Sequence, residues 1–352
     1  MRPEPPLLLA PMSLHATVRL TMTILVQNLK DTLTHAIEYK DNQRAVVIFD
    51  RTSELASLVA DGYAEVLPGA TVIDFDKTEP DVILELIDTL SPKDLVVLVQ
   101  STSFRLNAFR FRLELFKRGL AVIEHPHLGR MTGEQIEVYI DALAYDPEYY
   151  RGLGAKLKER IDRAQRVVVE CDGGELVYET PMEPAKLNVG DYVEMKNTGG
   201  QFPIGEVFTE PVNFEGVNGT VKLYAHADAT FHVQFPDEPI TVVVEKGVIV
   251  DVPNAPASFT AVLDQIGLDE RLLIRELGFG MNRSMTRDRR VVDVGSYERM
   301  CGIHVSIGHK HTTYTKEGLP KRSSKYHVDV FVDVTRVLID EEVVFEGGRY
   351  VL

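Results

Sequence analysis

Apolar and polar positions along the first half of the chain switch between two periods. Residues 26–39 repeat apolar side chains at helical spacing (Leu29, Leu33, Ile37). Ala45–Phe49 (AVVIF) is a short β-branched run that ends at Asp50. The same alternation predicts helices over 52–63, 80–90 and 105–118, and strands over 70–75, 94–100 and 121–124. Strands that alternate with helices of about 10–15 residues predict a parallel sheet with crossover helices. Uninterrupted β-branched runs predict strands covered on both faces. No GxGxxG follows any of these strands and no GxxxxGK[ST] occurs, so this α/β half reads as a structural scaffold rather than a nucleotide domain.

Residues 134–164 are mostly helical in pattern and lead out of this first domain, and the boundary is expected near residue 165. From Arg166 the pattern changes to strands and glycine-rich turns: RVVVECDGG, ELVYETP, DYVEMKNTGG, GTVKLYAHA, TFHVQF and ITVVVEKGVIVDV. Helices are expected at 257–266 and 269–272, further strands at 302–308 and 326–334, and a hairpin at the end. The fold class is therefore an α/β N-terminal domain with a parallel sheet, followed by a mostly β (α+β) C-terminal domain. Residues 1–22 read as a mobile tail or an over-extended start, with Met12 or Met22 as alternative starts; a short packed arm is the other reading. The apolar run Leu7–Ala10 is too short for a secretory signal, and no run has the length of about 18 apolar residues that a membrane span needs.

Composition narrows the partners. The 352 residues carry 38 Lys+Arg against 53 Asp+Glu, a formal net charge of −15. Such a balance argues against nucleic acid and against an anionic membrane surface, both polyanions themselves. Two cysteines far apart, Cys171 and Cys301, build neither a disulfide framework nor a thiolate zinc cluster, and a cytoplasmic location is the simplest expectation.

Candidate chemistry lies in the second half. His327 and Asp329 stand at i and i+2 in a strand-like segment and so point to one face. Side by side, an imidazole and a carboxylate make half of a site for zinc, manganese, cobalt or iron; a solvent-facing polar pair is the plainer alternative. His304 sits in the apolar strand GIHVSIG, where a satisfied core histidine is the alternative to a ligand. Glu276 lies in the glycine-rich, apolar RELGFG, and Glu206 opens an apolar strand after a glycine turn. A buried carboxylate is costly unless paired or metal-bound; for each, a surface ion pair is the alternative. Together these five residues are a hard-to-borderline ligand set suited to a pair of divalent cations. The arginine-rich run MNRSMTRDRR (281–290) could grip a substrate carboxylate or could be an exposed loop balancing acidic neighbours.

Four motifs in order carry a family resemblance. GEVFTEP, RELGFGMN, HVSIG and HVD resemble the corresponding segments of the aminopeptidase T family of metallopeptidases. The resemblance spans about residues 166–352. It implies Glu206, Glu276, His304, His327 and Asp329 as metal ligands for two divalent ions (zinc, cobalt or manganese). It also implies a Rossmann-like first domain, a β-rich catalytic domain, a homodimer, and release of N-terminal residues from a peptide or small amide substrate. Departures are visible. The family's further glutamate before the strand histidine falls on Arg299, with Glu298 one residue off; the family's tyrosine after it falls on His311, with Tyr314 three further on. His311 and Tyr314 are thus candidates for that catalytic place, and Glu276 for the proton shuttle or a bridging role. The first domain also looks abbreviated against the family. The related iron-dependent 2,5-dihydroxypyridine 5,6-dioxygenase implies the alternative: one iron on Glu276, His327 and Asp329, and aromatic ring cleavage. A binding or scaffold protein with a relic site is the third reading.

Overall fold

A computed structural model describes residues 14–106, 109–192, 195, 197–319 and 323–352. In chain order α1 (Leu14–Asp31) precedes β1 (Ala45–Phe49), α2 (Glu54–Val66), β2 (Thr71–Asp74), α3 (Pro80–Asp88) and β3 (Leu95–Val99). Two short strands, β4 (Arg105–Leu106) and β5 (Phe109–Arg110), lead into α4 (Phe111–Lys117) and β6 (Ala121–His125). The helices α5 (Glu134–Ala142) and α6 (Pro147–Arg163) follow. Strands β6, β3, β1 and β2 lie side by side in parallel. Their alternate residues feed two cores. Val47, Phe49, Val97 and Ile123 pack with Leu25 and Leu29 of α1, Leu55 and Val59 of α2 and Tyr139 of α5. Val46, Ile48, Val96, Leu98 and Val122 pack with Ile83 and Ile87 of α3 and Phe111 and Leu115 of α4. That two-sided burial is what continuous β-branched runs require.

The second half begins with β7 (Val167–Cys171), β8 (Gly174–Tyr178), β9 (Lys186–Asn188), β10 (Gly199–Gln201), β11 (Glu206–Thr209) and β12 (Val217–Ala227). Next come β13 (Val233–Gln234), β14 (Ile240–Glu245), β15 (Val248–Asp251), α7 (Ala257–Gly267) and β16 (Ile274–Gly280). The chain ends with α8 (Val294–Tyr297), β17 (Gly302–Ile307), β18 (Val328–Val332), β19 (Val334–Ile339), β20 (Glu342–Glu346) and β21 (Arg349–Tyr350). Apart from β10, these strands form a curled antiparallel sheet of 14 strands, with the run β12–β18–β17–β16–β11–β9 along one side. The expected α/β half and mostly β half are both present.

Several expectations on single elements change. The first helix starts at Leu14 and continues through a π-helical turn, Thr32–Ile37, so residues 14–22 are helical rather than tail; residues 1–13 lie outside the described residues. Among the described residues of 105–118 only Phe111–Lys117 is α-helical, and residues 107 and 108 lie outside them. Residues 269–272 form no helix: α7 stops at Gly267, and the Leu272 carbonyl accepts the Ile249 N–H at 2.9 Å while its side chain packs on the core, so the end of the segment is drawn out beside β15. TFHVQF contracts to Val233–Gln234. DYVEMKNTGG contributes only its last glycines, as β10, with residues 193, 194 and 196 outside the described residues.

β10 has a consequence for the whole molecule, because it pairs in parallel with β6 and completes the first sheet from the far side of residue 165. The close approach needs glycine: a Cβ on Gly199, at φ +94°, would lie 2.0 Å from the Val122 carbonyl oxygen. One apolar core runs through both halves, and polar bonds cross as well. Asn282 Nδ2 donates to the Ala142 carbonyl at 2.7 Å, and Arg130 Nη1 meets the buried Asp293 at 2.8 Å.

Candidate metal centre

Four neighbouring strands bring the five predicted ligands together. Glu206 opens β11 directly after Gly205, whose φ is +119° and where a Cβ would fall 2.6 Å from the Tyr150 ring. On β16, residues 276, 278 and 280 share one face. Glu276 supplies the carboxylate there, and the two glycines leave gaps. A Cβ on Gly278 would lie 2.1 Å from His304 Cε1 and Nε2, so the imidazole of β17 lies in the hollow that this glycine leaves. Asp329 on β18 pairs with Ser306 of β17, and Ser306 Oγ accepts the Glu276 backbone N–H at 3.1 Å. The RELGFG motif is thus an acid followed by two spaces, one of them filled by a histidine.

The side chains converge on Glu276. His304 Nε2 is 3.3 Å from Glu206 Oε1 and 3.5 Å from Glu276 Oε1. His327 Nε2 is 3.2 Å from Asp329 Oδ1 and 4.0 Å from Glu276 Oε1. Two sets of donor atoms result, Glu206/Glu276/His304 and Glu276/His327/Asp329, each with its atoms within 4.8 Å of one another. Bonds of about 2.0–2.2 Å to one tetrahedral ion place donor atoms roughly 3.4 Å apart, so small side-chain shifts would close either set on an ion. Two buried atoms favour an ion here. His304 Nε2 and Asp329 Oδ1 have no hydrogen-bond partner of acceptable geometry, although both face opposite charge. His327 is held in the manner of a ligating histidine: Nδ1 donates to the Lys310 carbonyl at 3.0 Å, which aims Nε2 at the carboxylates.

The electrostatics follow from burial and proximity. Burial pushes the Glu276 carboxyl up, but His304, His311 and the charge of His327 outweigh it and hold it well below the usual carboxylate range. Burial likewise depresses His304, yet the Glu206 and Glu276 carboxylates raise it to about 10. His327 is raised to about 9, chiefly by Asp329, against the same opposing burial. Without an ion, protons on imidazoles balance the carboxylates.

The two residues that stand near the family's tyrosine position take different places. His311 is buried, accepts the Thr313 N–H on Nδ1 at 3.1 Å and donates from Nε2 to Glu276 Oε2 at 2.6 Å. It orients Glu276. Tyr314 turns away: its hydroxyl donates to the Pro184 carbonyl at 2.8 Å, and its ring packs on His311 with centroids 5.0 Å apart. Tyr314 therefore supports His311 rather than facing the cavity. Three of the four arginines of 281–290 are engaged in pairs with acidic neighbours, Arg287 with Asp333, Arg289 with Asp141, and Arg283 with Asp146 at 3.4 Å, while Arg290 lies over the Phe235 ring.

Sequence reasoning missed a buried pair behind the site. Arg275 and Glu210, 1% and 0% exposed, meet at 2.8 Å. Arg275 also donates to the carbonyls of His309 and Tyr314, clamping the loop that carries His311. The only signal in the sequence was two charges inside apolar strands. A cavity of about 460 Å³ opens over the cluster and is lined by Glu206, Glu276, Glu298, His311 and His327 together with Phe208, Phe231, Val262 and Ile266. Among the described residues no helix is long and apolar enough to cross a membrane.

No protein-family profile and no curated protein sequence matches the chain. Among solved structures, the chain is similar to wild-type AmpT (aminopeptidase T) from Thermus thermophilus, at a TM-score of 0.61 and 14% identity. The likeness covers 94% of this chain and 99% of that one, so the first domain is not abbreviated relative to it. At this identity the likeness is one of fold, over nearly the whole length of both chains.

Proposed function

We propose that the chain is a divalent-metal-dependent hydrolase that releases N-terminal residues from peptides or related amides. The observation that carries this reading is Glu276, shared by two donor sets beneath a cavity, with the buried His304 Nε2 and Asp329 Oδ1 left without a hydrogen bond. Glu276, His327 and Asp329 would hold an ion. When bound, a divalent ion supplies Lewis acidity at the scissile carbonyl and lowers the pKa of water toward neutrality. The fold likeness to aminopeptidase T agrees with that chemistry.

The chain's own residues divide the remaining work. His311 fixes Glu276 Oε2, which keeps Oε1 turned toward His304 and His327. Glu298 stands at the cavity wall outside both donor sets, so it is placed to take a proton from water and return it to the leaving amine. This moves the shuttle from Glu276, whose oxygens are already committed. Carboxylates of Glu206 and Asp228 line the cavity and favour a substrate ammonium, while Phe208, Val262 and Ile266 favour an apolar first side chain.

The test starts with elemental analysis of protein purified without chelator or affinity metal, followed by a panel of aminoacyl anilides and dipeptides. Bound divalent ion and hydrolysis of substrates with a free amine and an apolar first residue are expected. Glu298→Gln should lower kcat by about 10²–10⁴-fold with metal content unchanged. A metal-free, inactive wild-type chain would overturn the reading. Iron at Glu276, His327 and Asp329 with oxygen uptake on aromatic substrates would instead support the ring-cleaving alternative. Its usual triad has two histidines and one carboxylate, and here that ratio is reversed.

A further inference from the structure

The two donor sets are unequal, and the residue that separates them is Arg299. It is 7% exposed, and it follows the short helix α8, with its backbone carbonyl accepting the Asn282 N–H at 2.8 Å. Its Nη1 lies 3.4 Å from Glu206 Oε2 and in contact with Glu298 Oε1. Both Nε and Nη1 are buried without a well-aligned hydrogen bond, so charge rather than fork geometry holds the guanidinium there. The other oxygen of Glu206 faces His304. Both oxygens of Glu206 are therefore beside cationic or donor groups before any ion arrives. Glu276/His327/Asp329 has no such intruder: neither His327 nor Asp329 is in an ion pair with an arginine or lysine among the described residues.

We propose that Arg299 is a resident cation that takes the electrostatic place of a second metal ion, so that the chain binds one divalent ion, at Glu276, His327 and Asp329. This rests on the metal-dependent reading above and specifies its stoichiometry. Charge balance supports it. Glu206, Glu276, Glu298 and Asp329 bring four negative charges and Arg299 one positive, leaving minus three with neutral imidazoles. One dication leaves the cluster at minus one; two would drive a buried, largely desolvated cluster to plus one. A second dication at Glu206 would also sit against the guanidinium, with little water between to screen the repulsion. In this arrangement Arg299 anchors Glu206, which remains on the cavity surface as a fixed carboxylate for the substrate ammonium, and holds Glu298 beside it.

The experiment is calorimetric titration of Zn²⁺ into the chelator-stripped full chain, paired with elemental analysis after dialysis. Wild type is expected to take one ion per chain, and Arg299→Met, which keeps the side-chain length and removes the charge, to take a second. In Glu206→Gln the stoichiometry should stay at one, with the ion still bound at no more than about a 10–100-fold loss of affinity, because Glu206 is not a ligand of the resident ion. That variant decides the matter even where Arg299→Met fails to fold. Two tight ions in wild type, one ion in folded Arg299→Met, or loss of the ion in Glu206→Gln would each overturn the proposal while leaving a metal enzyme. No ion in wild type would overturn the metal-dependent reading, and this proposal with it.

Discussion

At Glu276, burial and charge pull in opposite directions, and the balance sets how the site responds to pH. Removing a carboxylate from water favours its neutral form, whereas three imidazoles around it favour the anion and prevail. The same carboxylates keep His327 protonated to about 9 in the absence of metal, so an ion must displace that proton at lower pH. Zn²⁺ affinity measured by calorimetry at pH 6.5, 7.5 and 8.5 should therefore rise by about tenfold per unit if one proton is displaced. Asp329→Asn or His327→Ala should abolish binding and hydrolysis while the circular dichroism spectrum stays native. Away from the site, His125 is the strongest case of burial acting alone. It lies between the hydroxyls of Tyr63 and Tyr139, each at 2.8 Å, and burial lowers it to about 3. In the unfolded chain it titrates near its ordinary value of 6.5, so between these pH values the unfolded state binds the extra proton. Stability from this residue is complete above pH 6.5 and falls by up to about 1.4 kcal/mol per unit as pH drops toward 3. Urea melts at pH 7 and pH 5 should show the loss, and His125→Gln should remove that part of the slope. The five clustered donor residues were legible in the sequence because each sits in a short motif. Their alternatives, a core histidine or a surface ion pair, were separated from them only by which residues face which across strands.

Strand β16 explains why a sequence motif can mark a site at the level of an element. Its alternation puts Glu276, Gly278 and Gly280 on one face and Arg275 on the other. Gly278→Ala would place a methyl group where the His304 ring lies. Weakened retention of His304 near Glu276, read as a lost histidine–carboxylate coupling by NMR, is expected with little change in overall fold. Arg275→Met leaves the buried Glu210 facing Lys316 at 3.8 Å in place of Arg275 at 2.8 Å and frees the loop that carries His311. A loss of about 3–5 kcal/mol in urea unfolding is expected. Strands with continuous β-branched runs were readable to within a residue or two, as at Ala45–Phe49. Elements whose form depends on what they dock against were not. Residues 269–272 have helical residues, but Leu272 is taken by the core and by the backbone of Ile249, and the glycines of β10 carry no strand signal except the space they leave for Val122.

Taken whole, the molecule is more continuous than a boundary at residue 165 suggests. β10 closes the first sheet from within the second half, and the buried core extends from α1 to β20. Chains cut at residue 165 should therefore fail to give two stable pieces, and the full chain should unfold in one cooperative transition by circular dichroism and tyrosine fluorescence. The sequence by itself determined the class of each half, the period of most elements and the identity of the residues able to bind a metal. Those follow from local spacing and from which side chains carry donor atoms. Tertiary structure decided the rest. It placed Arg299 against Glu206, turned Tyr314 to the backbone, gave His311 to Glu276 and put Glu298 on the cavity wall. Each of these is a contact between residues far apart in the chain or on neighbouring strands. A pattern read along one strand carries no record of what lies across from it.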